Sequence, residues 1–134
     1  MQFVFYPDLI EHEAVFPLSR IPNGVIAKEL QFLLEKQTKL YVTVKKFLIE
    51  LEKVTDLPIY YKSEHLRDLG DGLHEMRIPK KRRGGVFRLY FCYHNLDVKS
   101  DVLILLDAEL KHKKKPQRMD IARDKLKKYK DLIR

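Results

Sequence analysis

The stretch LGDGLHEMRIPKKRRGGVFRLYFCY, residues 69–93, decides how the rest of the chain is read. Two runs of alternating apolar character, 73–78 and 86–93, flank four consecutive cations, Lys80, Lys81, Arg82 and Arg83, and the pair Gly84 and Gly85. That is the composition of a β-hairpin with a charged tip. Successive strand residues point to opposite faces, so Glu75 and Arg77 share one side of the first strand and His74, Met76 and Ile78 the other. In the second strand Phe87, Leu89, Phe91 and Tyr93 form an apolar face, and Val86, Arg88, Tyr90, Cys92 and His94 form the opposite one. One sheet face is then greasy. The other carries Arg77 and Arg88 among polar groups, which is unusual inside strands unless something anionic lies against them.

Working outward, residues 3–6 read as a short first strand ended by Pro7, and residues 11–22, with two prolines, as a loop. Asn23 is the expected helix cap, followed at helical spacing by Ile26, Leu30, Leu33, Leu34 and Gln37. Leu40, Val44, Phe47, Leu48 and Leu51 repeat the pattern, as two helices or as one interrupted near Gln37 and Thr38. Pro58 stops the second, because proline lacks the amide donor and the residue before it disfavours helix. Residues 64–69 lead into the hairpin through a turn at Gly70, Asp71 and Gly72. After a polar turn, residues 101–106 form a nearly continuous apolar run, as expected of a strand covered on both sides. Pro116 suits the first turn of a last helix that docks through Met119, Ala122, Leu126, Tyr129 and Ile133. Its Arg118, Arg123, Lys125, Lys127, Lys128 and Lys130 are expected to stay in water. The layout is α+β: a small twisted, mainly antiparallel sheet with two N-terminal helices and a C-terminal helix.

With 134 residues the chain, residues 1–134, reads as one domain with room for a real core. Its one cysteine, Cys92, excludes an internal disulfide framework and a multi-cysteine zinc site, and fits a reducing compartment. His74 and His94 lack ligand spacing with any carboxylate or thiol set, so no metal and no cofactor are expected. The first residues lack a basic leader followed by an apolar stretch, and no apolar run reaches bilayer length. A soluble, cytoplasmic protein without a membrane partner is the expectation. The net charge of +8 is localised: residues 111–134 hold 11 Lys and Arg against three Asp and Glu, and the remainder is balanced at 16 of each. With the cations of residues 80–83 this makes two basic clusters on a neutral body, which fits a polyanion partner. It fits equally a surface charged for solubility.

The ordered set of residues 66–69 (LRDL), 70–78 (GDGLHEMRI), 85–90 (GVFRLY), an apolar strand, 111–116 (KHKKKP) and 120–122 (DIA) resembles the phage-derived RelE/HigB-like toxin family. The likeness covers roughly residues 66–126, with the elements in family order. It implies a type II toxin that cleaves mRNA, in many members on the ribosome, and that a small antitoxin, often a helix-turn-helix protein, neutralises. It also implies a RelE-like, microbial-ribonuclease-like fold whose active site lies on the concave sheet face and the loop before the last helix. By position, the family arginines fall on Arg77 and Arg88, the acidic strand position on Glu75, and the basic pair after the last strand on Lys111 and His112. His112 stands where a second lysine or arginine is usual, and Glu109 near where an aromatic is common.

Metal-free RNA cleavage uses the substrate's 2′-hydroxyl as nucleophile and needs a base, an acid and cations where charge grows on the phosphorane. Guanidinium matches phosphate geometry and keeps its charge, so Arg77 and Arg88 suit the last task. Glu75 is the expected base and His112 the expected acid, with Lys111 holding phosphate or sharing that role. Lys80, Lys81, Arg82, Arg83, Lys113, Lys114 and Lys115 are expected to bind the RNA backbone without choosing sequence. Glu75 and Arg77, two apart on a strand, also fit a simple structural ion pair. Two other readings stand beside the nuclease: a non-catalytic nucleic-acid-binding module, and an inactive phage-derived remnant that only pairs with a repressor.

Overall fold

The computed structural model describes residues 1–6, 10–12, 23–54, 57–79, 85–111 and 118–134. In chain order the elements are β1 (Gln2–Phe5), β2 (Ile10–His12), α1 (Val25–Lys36), α2 (Thr38–Glu52), α3 (Pro58–Lys62), β3 (Leu66–Gly70), β4 (Leu73–Ile78), β5 (Val86–Tyr93), β6 (Val102–Lys111) and α4 (Met119–Leu132). One six-stranded sheet runs in the order β2-β1-β6-β5-β4-β3. The pairs from β3 to β6 and the β1–β2 pair are antiparallel, and β1 lies parallel to β6. The class is α+β, as the alternating and helical patterns imply.

The helices cover both faces. Ile26, Leu30 and Leu33 of α1 and Leu40, Val44, Leu48 and Leu51 of α2 pack with Phe3, Phe5, Met76, Ile78, Phe87, Leu89, Phe91, Tyr93, Leu103 and Leu105 in one buried cluster. On the other face Ala122, Leu126 and Tyr129 of α4 pack with Val4, Leu73, Tyr90, Cys92, Ile104 and Leu106. Each large apolar side chain so buried contributes about 1.5–3 kcal/mol relative to exposure. The expected alternation of β4 and β5 holds, but their second face is greasy along part of its length too. Helix α4 is the reason. Its 14 residues cover only one end of that face and leave the end of Glu75, Arg77 and Arg88 to polar groups.

Several expectations are corrected. Residues 66–70 form a strand rather than a lead-in, so four antiparallel strands follow the helices, not three. At the sheet edge β3 leaves Arg67 and Asp68 exposed, and so shows no apolar alternation. Residues 10–12 are a second edge strand that overlaps the start of the expected loop. The α1 cap is Gly24 rather than Asn23. Helix α2 ends at Glu52, and Pro58 opens the short α3 in place of closing α2. His94 lies in a single 3₁₀ turn, His94–Leu96, outside the strand. Four cations of α4 are not simply in water. Arg118 and Lys125 pair with the buried Asp107. Arg123 Nη2 donates to the Leu69 carbonyl at 2.7 Å, and Lys130 Nζ to the Asp71 carbonyl at 2.8 Å. These carbonyls are presented by the turn at Gly70 and Gly72, whose φ of 90° and 88° a side chain would strain. Among the described residues no helix is long and apolar enough to cross a membrane.

Candidate functional site

Strand β6 runs five residues beyond its aliphatic run and brings two acids into the sheet, Asp107 and Glu109. Strict alternation from Leu103 and Leu105 puts both acids in the α1–α2 core. A bulge prevents this. Tyr90 pairs with Asp107 and Phe91 with Leu105, so Leu106 is the extra residue, and the parity of β6 changes there. Leu106 packs against α4, and Ala108 and Leu110 take the α1–α2 side. Asp107, Glu109 and Lys111 thereby face the same way as Tyr90, Arg88 and Val86, their cross-strand partners.

The polar end of this face is built in rows. Arg67 opposes Glu75, and Glu75 opposes Tyr90, which opposes Asp107. In the next row Arg77 opposes Arg88, which opposes Glu109. Arg88 Nη1 donates to both oxygens of Glu75, at 3.1 and 3.0 Å, and Arg67 lies 3.6 Å from the same carboxylate. Glu75 is 0% exposed and Glu109 1%. Tyr90 Oη donates to Glu109 Oε2 at 2.9 Å, and the backbone N–H of Arg118 donates to the same oxygen. Arg118 Nε donates to Asp107 Oδ2 at 2.7 Å and Lys125 Nζ to Asp107 Oδ1 at 2.9 Å. Arg118, immediately before α4, and Lys125 within it thus tie that helix to β6.

Cations outnumber carboxylates here: Arg67, Arg77, Arg88 and Lys111 stand against Glu75 and Glu109. The crowding shows in the titration. Burial, then the like charges of Arg88 and Arg67, hold the Arg77 guanidinium below its ordinary value. Burial, then Arg88, pulls Lys111 below the usual lysine value. Burial and the neighbouring Glu109 push the Tyr90 phenol upward. Arg77 Nε, Arg88 Nε and Glu109 Oε1 are buried and have no hydrogen-bond partner among the described residues.

Of the residues singled out in the sequence, Arg77, Arg88, Glu75 and Lys111 come together on this face. Lys80, Lys81, Arg82, Arg83, His112, Lys113, Lys114 and Lys115 lie outside the described residues. Their attachment points are described: β4 ends at Ile78, β5 begins at Val86, and Val86 pairs with Lys111, the last residue of β6. Both basic stretches therefore leave the sheet at the Arg77–Arg88 end. Glu75, the expected base, has no exposed surface and has both oxygens on Arg88. The simple pair between Glu75 and Arg77 is replaced by one between Glu75 and Arg88. Glu109, Asp107, Arg118 and Arg67 were missed. Two acids, Asp107 and Glu109, just beyond five aliphatics are a visible signal, but which way they point depends on the bulge.

On the α1–α2 side His74 is buried, stacked on Phe91 at 5.5 Å, with its Nδ1 2.9 Å from Tyr61 Oη, which also lies 2.7 Å from Tyr93 Oη. Burial lowers the His74 pKa. Cys92 is fully buried under α4, and burial pushes its thiol up to about 12, which suits packing rather than nucleophilic attack. Among the described residues no group of three or more His, Cys, Asp and Glu is placed to hold a metal ion. Compared with protein-family models, with curated proteins and with solved structures, the chain matches none.

Proposed function

We propose that this chain is the toxin of a type II toxin-antitoxin pair, a RelE/HigB-like endoribonuclease that cleaves mRNA on the ribosome without a metal, through attack by the RNA's own 2′-hydroxyl. One observation carries the reading: two arginines directly opposed on β4 and β5, both with a buried Nε that finds no acceptor among the described residues. Like charges set face to face are unfavourable until an anion lies between or upon them, and a phosphodiester is the anion whose geometry guanidinium fits. Arg77 and Arg88 then hold the phosphate and stabilise its transition-state charge, Glu75 fixes the Arg88 guanidinium, and Lys111 with His112 protonates the leaving oxygen. A lysine whose pKa is lowered gives up its proton more readily at neutral pH. The RelE-like, microbial-ribonuclease-like fold belongs to this reading, as do the cytoplasmic location and the small helix-turn-helix antitoxin that covers the site.

The test is induction of the chain in a bacterial host, with mapping of cuts in cellular mRNA. Growth arrest with new mRNA 5′ ends, absent with Arg77→Ala, is the expected result. Intact RNA in cells, and in vitro with and without ribosomes, overturns it.

A second reading, a non-catalytic RNA-binding module or an inactive remnant, draws on the burial of both carboxylates, Glu75 and Glu109, which leaves the described part of the cradle presenting cations to solvent. RNA binding without cleavage is its signature.

A further inference from the structure

The three buried, unpartnered atoms are not scattered. Arg77 opposes Arg88 and Arg88 opposes Glu109, so Arg77 Nε, Arg88 Nε and Glu109 Oε1 belong to one row across β4, β5 and β6, on one face. Each has given up water and gained no partner among the described residues, a cost that native folds avoid unless something else completes the site. The atoms state what is missing: acceptors for two N–H groups and a donor for one carboxylate oxygen. A phosphodiester alone offers only acceptors. A ribose 2′-hydroxyl beside its own 3′-phosphate offers both.

Glu109 is built to present that oxygen. Tyr90 Oη and the Arg118 backbone N–H both donate to Oε2, which fixes the carboxylate and leaves Oε1 open. Glu75 differs, because Arg88 Nη1 occupies both of its oxygens. We infer that Glu109 Oε1 accepts the 2′-hydroxyl of the nucleotide whose phosphate rests on Arg77 and Arg88, and is the general base of the cleavage. This rests on the ribonuclease reading above. Entry of the ribose requires the side chains of Arg88 and Lys111, which flank Glu109 on this face, to part. The 2′-oxygen passes its proton to Oε1 and forms the new bond to phosphorus as the bond from phosphorus to the 5′-oxygen breaks. Lys111 gives that oxygen a proton. The products are a 2′,3′-cyclic phosphate and a 5′-hydroxyl, and the base later returns its proton to solvent. A deoxyribose leaves Oε1 unpaired, so the same atom separates RNA from DNA.

The experiment uses the full chain, with and without ribosomes, in single-turnover cleavage of an RNA oligonucleotide, and measures binding of that RNA carrying one 2′-deoxy nucleotide at the scissile position. In Glu109→Gln the amide oxygen stays toward the Arg118 N–H and the amide nitrogen replaces Oε1, so a donor faces the hydroxyl. Cleavage is expected to fall by about 10²–10⁴-fold, with the acidic limb of the pH–rate profile lost. Affinity for the 2′-deoxy probe is expected to stay within about threefold of wild type, and Glu109→Asp to recover part of the rate. Cleavage by Glu109→Gln within about threefold of wild type overturns the role of Glu109 and leaves the ribonuclease reading standing. Should Glu109→Gln fail to fold, a wild-type Glu75→Gln comparison decides: loss of the acidic limb there overturns the assignment, and its retention supports Glu109. RNA left uncut by the wild-type chain overturns both.

Discussion

Arg77 and Arg88 face each other across β4 and β5, yet the buried carboxylate beside them, Glu75, hydrogen-bonds Arg88 through both of its oxygens. The two arginines therefore differ in what they do for the fold.

Arg88→Ala strands Glu75 in the interior without its hydrogen-bonded partner, leaving Arg67, 3.6 Å away, as the ion pair that remains to it among the described residues. Loss of one partner from a buried pair costs about 3–5 kcal/mol. Arg77→Ala relieves the burial of a charge and the repulsion from Arg88 and Arg67, which together lower the Arg77 pKa, and is expected to be neutral or stabilising by up to about 1 kcal/mol. Under the proposed function the same change slows cleavage by about 10²–10³-fold. Urea unfolding of the two variants checks the asymmetry, and the opposite order of stabilities contradicts it.

Asp107 anchors the start of α4 through Arg118 and Lys125. Asp107→Ala is expected to cost about 2–3 kcal/mol, the range of charged hydrogen bonds, and less than Arg88→Ala, because the released cations can turn to water. Hydrogen exchange should show α4 amides losing protection while β5 amides keep theirs. Uniform loss across both elements would mean that Asp107 supports the whole sheet.

His74 supplies a pH dependence of stability. Its folded pKa is lowered by burial, so the unfolded chain binds the proton first as the pH falls through the ordinary histidine value near 6.5. The stabilisation is full above that value and is lost on acidification, at up to about 1.4 kcal/mol per pH unit. His74→Phe, which keeps a ring against Phe91, should flatten the stability profile between pH 7 and pH 5 in thermal melts. An unchanged slope in that variant would assign the effect elsewhere.

Under the proposed function, binding to single-stranded RNA should weaken with salt, each phosphate contact contributing a slope of about −0.7 in log K against log salt. Arg77→Ala is expected to reduce the slope by about that amount, without altering preference among RNA sequences. Fluorescence anisotropy across salt concentrations measures it, and an unaltered slope removes Arg77 from the phosphate contacts.

Much of this was legible in the chain itself. Alternation alone put Glu75, Arg77 and Arg88 on faces that the structure reproduces, because both strands pair without interruption from Ile78 and Phe87 to His74 and Phe91. The helical stripes from Ile26 to Leu51 and from Ala122 to Tyr129 were equally plain, since each buries a face against the sheet. Edge strand β3 was not, because a strand with one neighbour need not alternate.

What the order of residues determined by itself is which side chains each regular element buries, a property of period and hydrophobicity. Only the tertiary structure decided where Asp107 and Glu109 point and that Arg118 meets them. One extra residue, Leu106, reverses the parity of β6 through its pairing with β5, and such a register shift is a relation between two strands that neither strand's own pattern contains.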